Sequence, residues 1–162
     1  MRILIVCHAN TFRSPMAWAL LQRALVPWRG LFELDSGGIG THAREGGLMS
    51  LDARLSLKGA GIELDENAFR SKDLRRHPEA VAGAGLVIAM TQEQRSLLLD
   101  AFPELNPGIV HTWLALADES GDIEDPCGKG PEGATVCLRE LERTLPSVVK
   151  NLLGLALKPF TP

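Results

Sequence analysis

Residues 2–15 read R-I-L-I-V-C-H-A-N-T-F-R-S-P, and the change of texture inside this stretch decides the fold. Arg2 to Val6 is a short apolar run, which predicts a buried strand. From Ser14 onward Ala17, Leu20, Leu21, Ala24 and Leu25 recur at helical spacing. Ser14 followed by Pro15 marks the helix start: the hydroxyl is suited to cap free N–H groups, and proline fits the first helical position because its missing donor is not needed there. A strand, a loop and a helix therefore open the chain, with a cysteine where the strand stops.

The same alternation continues downstream. Leu31 to Asp35 predicts a second strand, the glycine-rich S-G-G-I-G-T-H-A a loop, and Leu51 to Ala60 a helix that stops at Gly61. Gly85 to Met90 is the clearest buried strand, with Thr91 as N-cap of a helix through Ala101, and Ile109 to Trp113 makes a fourth strand. Asp118 to Gly133 is polar and rich in Gly and Pro, as expected of a long loop. Beyond it Leu138, Leu141, Leu145, Val148, Val149 and Leu152 repeat at three and four, predicting a terminal helix that Pro146 bends. The expected architecture is one α/β domain over residues 1–162, a three-layer sandwich in which a central four-stranded parallel sheet carries helices on both faces. Ligands in such folds bind at the carboxyl ends of the strands, where Cys7 sits.

With 162 residues, 45% hydrophobic and 23% charged, the chain fits a single core. A net charge of −3 gives no general drive toward nucleic acid or an anionic membrane, so neither is expected as a partner. No segment holds ~18 uninterrupted apolar residues, and the run Ile3 to Val6 is too short for a signal-peptide core; a cytoplasmic protein is expected. Cys7, Cys127 and Cys137 are odd in number and lack C-x-x-C spacing, which argues against a disulfide framework or a zinc ribbon. His8, His42, His77 and His111 show no ligand spacing, so no metal and no cofactor are expected.

A loop running from a strand into a helix N-terminus converges backbone N–H groups and the positive end of the helix dipole on one point. Arg13 adds a planar fork of donors for two oxygens of a tetrahedral anion, and Cys7 places a sulfur at the base of the same cradle. Such a field favours a thiolate, which has to be reachable from solvent to act as a nucleophile toward a bound phosphoryl group. Asn10 is expected where the wrapped backbone turns left-handed, because Asn tolerates that region better than most side chains. Ser14, besides capping, is placed to hydrogen-bond the sulfur. His8, Ala9, Asn10, Thr11, Phe12 and Ser14 complete the expected phosphate-binding and supporting set around Cys7 and Arg13.

On these residues the chain resembles the low-molecular-weight protein tyrosine phosphatases, whose phosphate-binding loop follows a C-x-G-N-x-C-R-S-P pattern after one strand. The resemblance continues through G-I-G-T-H-A, G-I-E-L, A-F-R-S-K-D-L, L-V-I-A-M-T and D-I-E-D-P, and so covers nearly the whole chain in order. It implies a metal-independent hydrolysis of phosphomonoesters through a phosphocysteine on Cys7. It also implies that Asp125, in the Asp-Pro pair, protonates the leaving group and later activates water, with Asp122 or Glu124 as substitutes. Phosphotyrosine is the first substrate implied, with phosphoarginine or a small phosphorylated metabolite second. Thr11 resembles the members acting on phosphoarginine.

The chain departs from the family pattern at several positions. Ala9 replaces a loop glycine, and Phe12 replaces a second loop cysteine that shields the nucleophile from overoxidation in relatives. Gly38 stands where a supporting serine is usual, and Asn67 where histidine is frequent. The chain contains no tyrosine, and Cys127 occupies the aromatic position after Asp125-Pro126. A thiol-based arsenate reductase of the same fold needs relay cysteines between Cys7 and Cys127, and none occurs. A non-catalytic phosphate-binding module needs only the arginine and the amides, so retention of cysteine, arginine and Asp-Pro together favours the enzyme.

Overall fold

The computed structural model describes residues 1–65 and 67–157. In chain order its elements are β1 (Arg2–Cys7), α1 (Arg13–Ala24), β2 (Glu33–Gly38), α2 (Leu51–Gly59), α3 (Pro78–Ala82), β3 (Leu86–Ala89), α4 (Gln92–Ala101), β4 (Val110–Thr112), α5 (Trp113–Leu116) and α6 (Gly130–Ala156). The four strands form one parallel sheet in the order β2-β1-β3-β4. The chain leaves β1 toward β2 on one side and later enters β3 on the other, so the strand order reverses beside β1. A crevice opens at such a reversal, outside the carboxyl ends of the strands. Cys7 is the last residue of β1, in register with Gly38.

The central strand is buried on both faces, and its alternation divides the core in two. Ile3, Ile5 and Cys7 pack with Met16 and Leu20 of α1, Leu57 of α2, Trp113 of α5 and Leu141 of α6. Leu4 and Val6 pack with Val81 of α3, Val87 of β3 and Leu98 of α4. Each fully buried aliphatic side chain contributes roughly 1.5–3 kcal/mol by leaving water, and residues 3 to 6 are all 0% exposed. This strand is therefore the rigid base from which the following loop projects.

The loop rests on a well-anchored frame. Trp113 is fully buried and its Nε1 donates to Thr144 Oγ1 at 2.7 Å, pinning α5 to α6. Ser50, Thr91 and Thr112 each accept a hydrogen bond at the N-terminus of α2, α4 and α5. The second strand runs later than Leu31 to Asp35, because Gly37 and Gly38 pair with β1 even though glycine reads as loop. A Cβ at Gly38 would lie 2.9 Å from His8 O and from Ala9 C, so only a bare backbone passes there. Trp113 begins a helix and does not end β4. Similarly, α6 starts at Gly130, inside the stretch expected to be loop, and runs through Pro146.

Candidate active site

The loop between β1 and α1 folds back over the strand end. Asn10 has φ 59°, the left-handed conformation expected of it, and its N–H donates to Cys7 Sγ at 3.3 Å. Ser14 Oγ donates to the same sulfur at 3.0 Å. Contrary to the expectation that Ser14 caps the helix, Phe12 holds the N-cap position without a side-chain bond and α1 begins at Arg13. Ser14 lies inside the first turn with its hydroxyl turned to the sulfur, and Pro15 follows it there, where backbone N–H groups have no helical acceptor to lose.

Asn10 is 0% exposed and uses its whole carboxamide. Nδ2 donates to Ser14 Oγ at 2.8 Å and to Ser36 Oγ at 3.1 Å, while Oδ1 accepts from the backbone N–H of Lys72 at 2.9 Å. Because Ser14 Oγ accepts from Asn10, its own proton is free to point at the sulfur. Ser36 and Lys72 are supporting residues that sequence reasoning missed. The expected supporting positions do not take part: Gly38 has no side chain and no room for one, and Asn67 is exposed, accepting from Arg70 at 2.9 Å. The quoted segment A-F-R-S-K-D-L contained the signal, but the contribution comes from a main-chain amide, which no side-chain pattern displays.

Arg13 is buried beside the loop and faces the segment that carries Asp125. Its Nη2 donates to Asp125 Oδ2 at 3.0 Å and its Nη1 to Ile123 O at 3.0 Å. That segment is fastened to the sheet by Ile123 N–H donating to Met90 O at 2.9 Å and by Gln92 N–H donating to Asp122 Oδ1 at 2.8 Å. Asp125 Oδ1 accepts the N–H of Cys127 at 3.0 Å, a turn closed around Pro126. Asp122 and Glu124, the named substitutes, are otherwise engaged, since Glu124 pairs with Lys129.

The remaining loop residues make structural contacts. His8 O accepts from Gly40 N–H, Ala9 O from Arg44 N–H, and Thr11 O from Ser50 N–H, which ties the loop to the start of α2. Phe12 packs against the larger core cluster, and the His8 ring lies 5.9 Å from that of His42. A cavity of about 400 Å³ opens beside the loop, lined by His8, Arg13 and Thr91 and by the carboxylates of Glu93, Asp122, Glu124 and Asp125. Cys7 is only 2% exposed, whereas a reachable sulfur was expected. Cys137, in the same core cluster, is a second buried thiol, pushed up to about 12 chiefly by burial, and Cys127 is exposed. Among the described residues no group of three or more His, Cys, Asp or Glu side chains could hold a metal ion. No helix among them is long and apolar enough to cross a membrane.

The family model described as low molecular weight phosphotyrosine protein phosphatase matches residues 2–154. The protein-arginine-phosphatase of Geobacillus stearothermophilus is 35% identical over 151 residues, which cover 93% of this chain and 95% of the relative. Among solved structures, the YwlE arginine phosphatase from Geobacillus stearothermophilus superposes with a TM-score of 0.83 at 34% identity, covering 99% of this chain and 98% of that one. A low molecular weight protein tyrosine phosphatase from T. tengcongensis superposes with a TM-score of 0.80 at 32% identity, covering 93% and 98%.

Proposed function

The chain belongs to the low molecular weight phosphotyrosine protein phosphatase family, and from that premise we propose that it hydrolyses phosphorylated protein side chains through a phosphocysteine on Cys7, with phosphoarginine as the favoured substrate. One observation carries the mechanism: the Cys7 sulfur, at the end of β1, accepts from Asn10 N–H and Ser14 Oγ while Arg13 is paired with Asp125.

The substrate phosphoryl group takes over the Arg13 donors now given to Asp125 and Ile123. This exchange releases the Asp125 carboxyl. The Cys7 sulfur then attacks phosphorus in line; an S–P bond forms as the P–O or P–N bond breaks, and Asp125 gives its proton to the departing atom. Water next attacks phosphorus and yields a proton to Asp125, the S–P bond breaks, and orthophosphate leaves with the sulfur restored as thiolate. Loop amides and the guanidinium match the charge on the transferring group, and Ser14 Oγ stabilises the sulfur as it departs.

Three observations favour phosphoarginine. Thr11 sits in the loop at the position associated with that substrate, and the relatives named above include arginine phosphatases. The cavity is lined by Glu93, Asp122, Glu124 and Asp125, an acidic set that suits a leaving group retaining a guanidinium charge even though Asp125 and Glu124 are paired with Arg13 and Lys129. Phosphotyrosine is the second reading, supported by the family description, although Cys127 leaves no aromatic after Pro126 to hold a flat ring. The test is a comparison of kcat/KM on matched phosphoarginine and phosphotyrosine peptides, with Thr11→Ile alongside. A preference for phosphoarginine that narrows in the variant supports the proposal; a preference for phosphotyrosine in the wild type would replace it.

A further inference from the structure

The proposed mechanism uses Asn10 and Ser14 to orient the sulfur, and the other two partners of the Asn10 carboxamide, Ser36 and Lys72, lead back to one residue. Asp35 Oδ1 accepts the N–H of Ser36 at 2.8 Å, fixing the residue whose Oγ receives Asn10 Nδ2. Both Asp35 oxygens lie 2.6 Å from Lys72 Nζ, fixing the residue whose N–H donates to Asn10 Oδ1. From these contacts we infer that the Asp35–Lys72 ion pair is a positioning element for catalysis: it clamps both ends of the Asn10 side chain and, through Ser14, sets the hydrogen bond to Cys7 Sγ.

The path is continuous and short-ranged. From Asp35 it passes to Ser36 and Lys72, converges on Asn10, and reaches the sulfur through Ser14. Lys72 belongs to a strap seated against β2: its O accepts Gly38 N–H at 2.8 Å, and the neighbouring Ser71 exchanges backbone bonds with Gly46 and Gly47. The main chain of the strap is thus held independently of the ion pair. In this proposal the pair adds a second tie between Lys72 and β2, beside the main-chain bonds, at the residue whose amide meets Asn10. With side chains 35% and 30% exposed, Lys72 and Asp35 form a part-buried pair, which solvent screens less than a fully exposed one. Neither residue touches the reacting atoms, so both act through Asn10.

The inference rests on the proposed role of Cys7, and the test separates the two. Lys72→Met, Asp35→Asn and the conservative Lys72→Arg are compared with the wild type by two readouts. The first is kcat and KM on p-nitrophenyl phosphate per titrated active site; the second is the rate of Cys7 alkylation by iodoacetamide at neutral pH, which needs no turnover. Loss of the clamp is expected to lower kcat about tenfold with KM changed less than about twofold, and to slow alkylation severalfold, as a displaced reacting group does. Lys72→Arg is expected to stay close to the wild type in both. Alkylation and kcat per active site unchanged in Lys72→Met and Asp35→Asn, whatever their melting temperatures, would overturn the positioning role. Should Asp35→Asn fail to fold, Lys72→Met decides the matter, because its main-chain bonds remain. Absence of turnover in the wild type would count against the proposed activity alone, with the alkylation rates still deciding the clamp.

Discussion

Ser14 Oγ stands 3.0 Å from Cys7 Sγ and donates to it, held in that sense by the Asn10 amide it accepts. A sulfur that must carry negative charge both as attacking and as leaving group benefits from this donor in two steps. Ser14→Ala is expected to lower kcat on p-nitrophenyl phosphate by about tenfold or more, since a single aimed donor at a developing charge is commonly worth that much. Unchanged kcat would reduce Ser14 to a packing residue.

Asn10 combines a left-handed backbone with three side-chain bonds. Asn10→Ala is expected to cost about 2–5 kcal/mol in urea denaturation, from roughly 1–2 for the backbone conformation and about 1–3 for the stranded donor of Lys72. Asn10→Gly removes the first contribution and should unfold at higher urea than Asn10→Ala.

Asp125 competes with any anion for Arg13. Asp125→Ala should therefore bind inorganic phosphate at least as tightly as the wild type, while turnover of esters with poor leaving groups falls by about 10²–10⁴ for want of an acid. Calorimetry and a leaving-group series check the two halves. Undiminished turnover would transfer the proton role to Asp122 or Glu124.

Burial holds the Cys137 thiol near 12, with Arg13 acting in the opposite direction, so Cys137 stays protonated in the native protein. Alkylation followed by peptide mass analysis is expected to modify exposed Cys127 and to spare Cys137 until denaturant is added. Early labelling of Cys137 would show that α6 opens readily beside the site.

His77 links Glu45 and Glu79 close to the strap. The hydrogen bond to Glu45, then that to Glu79, raises the imidazole above its ordinary 6.5; Glu45 is lowered, chiefly by the Asp73 backbone N–H and then by His77. A raised histidine stabilises fully below its unfolded value and loses that contribution as pH rises through the folded one; a lowered carboxylate stabilises above its unfolded value and loses that as pH falls. The melting-temperature advantage of wild type over His77→Ala should therefore be largest near about pH 5.5 and fade toward about pH 8.5. An advantage constant across that range would remove the ion pair as its source.

Much of this site was legible because its logic is local. The buried strand at Arg2 to Val6, the left-handed Asn10 and the cap at Thr91 all follow from side chains and their nearest neighbours. Four features were not. Gly37 and Gly38 join β2 because the loop backbone and Leu74 press against them, a tertiary demand that overrides glycine's poor strand preference. Ser14 makes the expected contact with the sulfur but does not cap the helix, since Asn10 orients its hydroxyl from across the loop. The Lys72 contribution is a main-chain donor on a distant strap, and the Arg13–Asp125 contact joins residues 112 positions apart.

Transfer of a PO3 group to the sulfur is the step from which the other assignments descend, and rapid denaturing quench followed by peptide mass analysis observes it directly. Asp125→Ala is the preparation of choice, because loss of the base slows hydrolysis of the intermediate. With p-nitrophenyl phosphate as donor, the peptide bearing Cys7 should gain one PO3 group early in turnover and lose it as substrate is exhausted. Product formed at an undiminished rate with that peptide never modified would contradict a phosphocysteine on Cys7.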